Sequence, residues 1–95
     1  MIEIATPKFS LGTLVATPGA VEALSDAGQS PMVFISRHIR GDWGEVCDED
    51  RQANEDALRN GDRLLSVYRT AKNTKLWVIT EADHSATTFL LPEEY

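Results

Sequence analysis

Cysteine is almost missing from this chain: Cys47 is the single one among 95 residues. One thiol cannot close an internal disulfide, so stability has to come from an apolar core, and a reducing compartment is the natural setting. Cationic clusters are scarce too. Nine Lys and Arg stand against fifteen Asp and Glu, and the neighbouring pair Arg37 and Arg40 stands where cations suit the end of a helix. Direct nucleic-acid binding is therefore not expected, because phosphate affinity comes from clustered Lys and Arg. Long apolar runs are absent as well. Met32–Ile35 and Leu76–Ile79 are the longest, far short of the ~20 residues that a membrane helix needs. Met1–Ala5 shows no basic stretch leading into an apolar one, unlike a secretory signal. The expectation is a soluble cytoplasmic protein with no membrane partner.

Catalytic signatures are also lacking. No G-x-S-x-G turn exposes a serine, and neither Gly12 nor Gly19 leads into a G-K-[ST] phosphate loop. The two histidines differ in setting. His38 falls on the apolar side of a helical stretch, where a hydrogen-bonded core histidine is the ordinary reading. His84 shares a short loop with Glu81 and Asp83. Three ligands from one turn, with no second histidine or cysteine pair at metal spacing, read better as a polar turn than as a metal centre. No cofactor, metal or catalytic residue is assigned.

What is present organises into a single α+β domain over residues 1–95, with the first ten expected to be loosely ordered. Thr17-Pro18 and Ser30-Pro31 are each an N-cap followed by proline at the first helical position, with Gly28 and Gly41 as the stops. A third helix is predicted from a cap at Asp48 to about Asn60, with a thin apolar stripe of Val46, Ala53 and Ala57 flanked by Leu58. From Arg63 the apolar period changes from helical to alternating. Strands are predicted at 64–69, 75–80 and 86–91, with a further one at 11–16. Short connections imply an antiparallel meander of three to four strands under about three helices. Leu24, Ile35, Ile39, Val67, Val78 and Phe89 are the expected core.

The net charge of −6 is concentrated in one place. Between residues 42 and 56 stand Asp42, Glu45, Asp48, Glu49, Asp50, Glu55 and Asp56 against Arg51 alone, which accounts for the whole excess. Five of these carboxylates fall on residues 48–56, about 13 Å of helix, where duplex DNA would carry about eight phosphates. A solvated helix face explains such a run, and so does a surface that meets a basic partner. Trp43 beside it reads first as a plug against the core, and second as an exposed anchor at an interface. The candidate partner-binding residues are Asp42, Trp43, Glu45, Asp48, Glu49, Glu55 and Asp56.

Three blocks in order, L-G-T-L-V-A-T-P-G-A at 11–20, R-H-I-R-G-D-W-G at 37–44 and W-V-I-T-E-A-D-H-S-A-T-T-F-L-L-P-E-E-Y at 77–95, resemble a family of short proteins. Its members come from bacterial plasmids, phages and integrative elements. They are usually described as plasmid-related, and some carry a type I restriction subunit label that their length cannot support. In that family an Arg usually stands where this chain has His84, a departure that weakens any ligand or base role for that histidine. The resemblance implies a setting, a mobile genetic element, rather than an activity. Small acidic proteins in that setting are often inhibitors of host defence, of the anti-CRISPR or anti-restriction type.

Three functional expectations follow. The leading one is a non-enzymatic protein that meets a basic surface of a host nucleic-acid-handling machine. Another is a small metal-assisted hydrolase using Glu81, Asp83 and His84. The third is a structural or antitoxin-like accessory subunit, including a homodimer.

Overall fold

The structure, a computed structural model, describes residues 7–95. The start signals of the first two helices act where the sequence puts them, as does the Gly28 stop, whereas the second helix ends at His38 with Ile39 as its C-cap, ahead of the expected stop at Gly41. Helix α1 spans Pro18–Ala27 and α2 spans Pro31–His38, each with proline in its first turn. Thr17 Oγ1 accepts from the Ala20 amide at 3.3 Å, and Ser30 Oγ from the Met32 amide at 3.2 Å. These caps satisfy amides that would otherwise lack partners at the helix start. Helix α3 covers Asp48–Asn60 and ends at Gly61.

The strands are β1 (Thr13–Ala16), β2 (Leu64–Arg69), β3 (Lys75–Thr80) and β4 (Ala86–Leu90), followed by a 3₁₀ turn at Pro92–Glu94. They form one sheet in the order β1-β4-β3-β2. The fold is α+β, as expected, but the sheet is mixed. β2, β3 and β4 make the antiparallel meander, whereas β1 pairs with β4 in parallel, Val15 opposite Thr88. Tight connections force neighbouring strands to run antiparallel. β1 is separated from β4 by most of the chain, so that rule does not bind it. Gly12, with φ of +65°, lets the chain enter β1 close to the 84–85 backbone, where an added Cβ would lie 2.4 Å from the His84 carbonyl oxygen.

Alternation along the strands puts Leu64, Ser66, Tyr68, Leu76, Val78, Thr80, Thr87 and Phe89 inside. Helices α1 and α2 cover this face, with Ala20, Leu24, Phe34 and Ile35 meeting Tyr68, Leu76, Val78 and Phe89. Leu24, Ile35, Val78 and Phe89 are buried core residues, and Ile39 packs half-buried against them. Val67 is a correction. Its neighbour Ser66 is paired with Val78, so Val67 points to the opposite face beside Trp77 and is half-buried. Truncating Ile35 or Phe89 to alanine should cost about 2–5 kcal/mol. Chemical denaturation of each variant measures it, and a loss below about 1 kcal/mol at both would mean that the helix–sheet core is elsewhere.

A chain of hydroxyl groups crosses this core. Thr87 Oγ1 donates to the Leu11 carbonyl at 2.8 Å, so it cannot also donate to Thr80, and Thr80 must donate to it at 2.7 Å. Thr80 Oγ1 therefore accepts from His38 Nε2 at 2.9 Å, leaving His38 Nδ1 to accept from Ser66 at 2.6 Å. His38, Ser66, Thr80 and Thr87 are all fully buried. The expected core histidine is thus present, and its neutral tautomer is set by its neighbours. The chain ties α2 to β2, β3, β4 and the segment entering β1. It also separates the main core from a second cluster of Trp43, Val46, Ala57 and Leu64.

Candidate partner-binding surface

Helix α3 lies along the outer edge of β2, and two contacts fasten it there. Asn54 is buried, with Nδ2 donating to the Leu65 carbonyl at 2.7 Å and Oδ1 accepting from the Leu65 amide at 3.0 Å. Its amide group stands in for a neighbouring strand. The inward face of α3 is Asn54, Ala57 and Leu58, and Ala53 is exposed, which corrects the expected stripe. The segment before the helix completes the edge: the Val67 amide donates to the Trp43 carbonyl at 3.0 Å and the Glu45 amide to the Val67 carbonyl at 2.7 Å. Gly44, at φ of +73°, permits this approach, since a Cβ there would stand 2.0 Å from the Val67 carbonyl oxygen.

Trp43 is the second fastening. It is 1% exposed, so the plug reading holds and the ring offers no surface to a partner. Phe9 stacks on it with ring centres 6.2 Å apart, and His38 meets its edge at 5.7 Å. Phe9 is therefore tied into the domain despite the loose order expected of the first ten residues; residues 1–6 lie outside the described residues. Trp43 Nε1 donates to Glu55 Oε2 at 2.9 Å, which gives Glu55 a structural partner.

The other acidic residues divide into two groups. Asp42 takes a two-pronged bond from Arg37, at 2.7 and 3.3 Å, and accepts from the Gly44 amide at 3.2 Å. The Arg37 hydrogen bond holds its carboxyl below the usual range. Arg37 in turn lies over the Tyr68 ring at 4.5 Å. Glu45 pairs with Arg69 at 3.0 Å, and Asp56 with Arg59 at 2.6 Å. Exposed pairs of this kind contribute about 0–1 kcal/mol, but they cancel charge. Asp48, Glu49 and Asp50 make no ion pair among the described residues, and all three are exposed in the first turn of α3. Cys47, not Asp48, is the N-cap, and its side chain makes no capping bond. Carboxylates in a first turn favour the helix through its dipole, so these three have a structural benefit beside any other use.

The 81–84 loop sends its side chains apart. Glu81 faces Arg63 at 4.0 Å, Asp83 Oδ1 accepts from the Ser85 amide at 2.9 Å, and the His84 ring packs on Phe9 at 5.7 Å. Among the described residues no three His, Cys, Asp or Glu side chains come together as a metal site. Ser66, the one serine bonded to a histidine, is sealed in the core with it, out of reach of any substrate. Among the described residues, two hollows on the surface are well formed. One, of about 350 Å³, is lined by Arg63, Leu64, Leu65, Trp77, Ile79 and Tyr95. Its only charged group, Arg63, is engaged by the Tyr95 hydroxyl at 3.0 Å. The other, of about 200 Å³, lies beside β1. Neither is lined by Glu81–His84.

Among the described residues, no helix is long and apolar enough to cross a membrane. No family model, curated protein or solved structure matches this chain.

Proposed function

We propose that this protein is a non-enzymatic binding protein whose acidic face, centred on Asp48, Glu49 and Asp50, meets a basic surface of a host nucleic-acid-handling protein in the cytoplasm. A defence machine of the CRISPR or restriction type fits the mobile-element setting that the sequence resemblance implies. One observation carries the reading: these three carboxylates are exposed and unpaired among the described residues, while the helix under them is clamped by Asn54 and by the Trp43–Glu55 bond. A rigid anionic patch loses little entropy on docking and speeds encounter with a cation-rich partner.

The test is a triple replacement, Asp48→Asn, Glu49→Gln and Asp50→Asn, measured against the protein captured by the tagged wild type from host lysate. Affinity should fall at least tenfold at low salt, with a shallower salt dependence. Circular dichroism should stay native at 25 °C, because each lost dipole interaction is worth only about 0.3–1 kcal/mol. Unchanged affinity and salt slope would show the patch to be a solvated helix start and nothing more.

A further inference from the structure

The two edges of the sheet are treated differently. The outer edge of β2 is closed, with Leu65 held by Asn54 and Val67 by the backbone of residues 43–45. The outer edge of β1 has no neighbouring strand among the described residues. The Thr13 amide donates to the Ser85 carbonyl and the Thr17 amide to the Phe89 carbonyl, both toward β4. Backbone groups alternate along a strand, so the amides and carbonyls of Leu14 and Ala16 point outward.

The stretches that form this edge are apolar and uncharged, and just past the end of β1 the Glu94 carboxylate is already taken up by the Thr17 hydroxyl and the Gly19 amide. Residues 9–21 and 27–36 contain no charged side chain, in a chain that is 25% charged. Of the six exposed large hydrophobic residues among those described, Leu14, Val15, Val21, Met32 and Val33 fall in these two stretches, each 45–58% exposed. Leu14, Ala16, Pro31 and Met32 line the 200 Å³ hollow, with Phe89 also in its wall. Edge strands of monomers are commonly guarded by a lysine or an inward charge, and β1 has neither.

We infer that β1 is a dimerisation edge, occupied by β1 of a second copy of this chain running antiparallel to make one continuous sheet. A two-fold axis at Val15 sets Leu14 opposite Ala16 of the second copy, and the reverse, so the outward backbone groups exchange hydrogen bonds in pairs. The same register places a large side chain over a small one beside the hollow. Charge distribution favours a second copy as the occupant. Two chains of −6 repel, but their acidic helices sit at the outer edges, beyond β2. In the joined sheet the two β2 strands stand seven strand spacings apart, roughly 34 Å. That is about four Debye lengths at physiological salt, so the repulsion is screened while neutral edges meet. The dimer would present one acidic face at each end.

Sedimentation equilibrium or light scattering of the whole chain tests this directly. At about 100 µM and 150 mM salt, the mass should be twice the 10.5 kDa of one chain. Leu14→Lys and Ala16→Pro should each return it to one chain with native circular dichroism, since neither changes an inward-pointing group. Amide exchange at Leu14 should be slow in the wild type and at least tenfold faster in Ala16→Pro. A monomer at that concentration would overturn the inference, and so would a dimer that survives both substitutions. The Asp48, Glu49 and Asp50 replacements should leave the dimer intact, so this test and that of the acidic face fail separately.

Discussion

Acidification from pH 7 to pH 4 should cost the folded protein about 3 kcal/mol through His38 alone. Burial pushes this imidazole down to about 4 from its ordinary 6.5. Its ring lies edge-on against the stacked Phe9 and Trp43 rings, with hydroxyl groups at both nitrogens and no carboxylate to favour a charge. The sign follows from which state holds the proton. Between pH 6.5 and 4 the unfolded chain binds a proton that the native chain refuses, so stability falls as pH falls. Below about 4 both states are protonated and this loss levels off. Carboxylates held low by hydrogen bonds, such as Asp42 through Arg37, act only at the acid end of that range and beyond. Urea denaturation from pH 7 to pH 4 measures the slope. His38→Gln should be less stable at pH 7 and nearly flat between pH 6.5 and 4. An equally steep slope in that variant would place the titrating group elsewhere.

Replacing Trp43 with alanine should cost about 3–5 kcal/mol, the usual range for a large buried aromatic. The ring carries the second core cluster with Val46, Ala57 and Leu64, and it is the floor on which Phe9 stacks. Trp43→Phe separates packing from the polar contact. It keeps most of the apolar volume but leaves Glu55 without its donor, and should cost about 1–2 kcal/mol. Glu55→Gln, which retains an acceptor, should be close to neutral. The comparison is made by thermal and urea unfolding at pH 7. If Trp43→Ala lost less than about 1 kcal/mol, the region around α3 would not be a cooperative part of the fold. The acidic face would then not be held rigidly.

Much of the fold was legible because it is written in local rules. Thr17-Pro18 and Ser30-Pro31 announce helices through capping geometry that needs no distant partner. Gly61 and the change of apolar period near Arg63 divide α3 from the meander in the same way. The charge at 42–56 was equally plain, being composition alone. The hydroxyl chain was less so, although its signal exists. Ser66 alternates with Leu64 and Tyr68, Thr80 lies one strand period after Val78, and Thr87 one before Phe89. Three inward-pointing hydroxyls and one core histidine ask for one another. Asn54 left no comparable trace, because a polar residue on a charged helix looks like any solvated position until a strand edge is placed against it.

The sequence by itself determined the elements, the class and the amount of charge, since propensity, capping and alternation act over a few residues. Tertiary structure decided how distant segments meet. It laid β1 parallel to β4, as no short loop constrained it. It turned Trp43 inward onto Glu55, and matched Arg37, Arg69 and Arg59 to three of the seven carboxylates. It also left one sheet edge closed by Asn54 and the other without a neighbouring strand among the described residues. A hydrogen-bond partner chosen across the fold depends on geometry between elements, and spacing along the chain does not encode it.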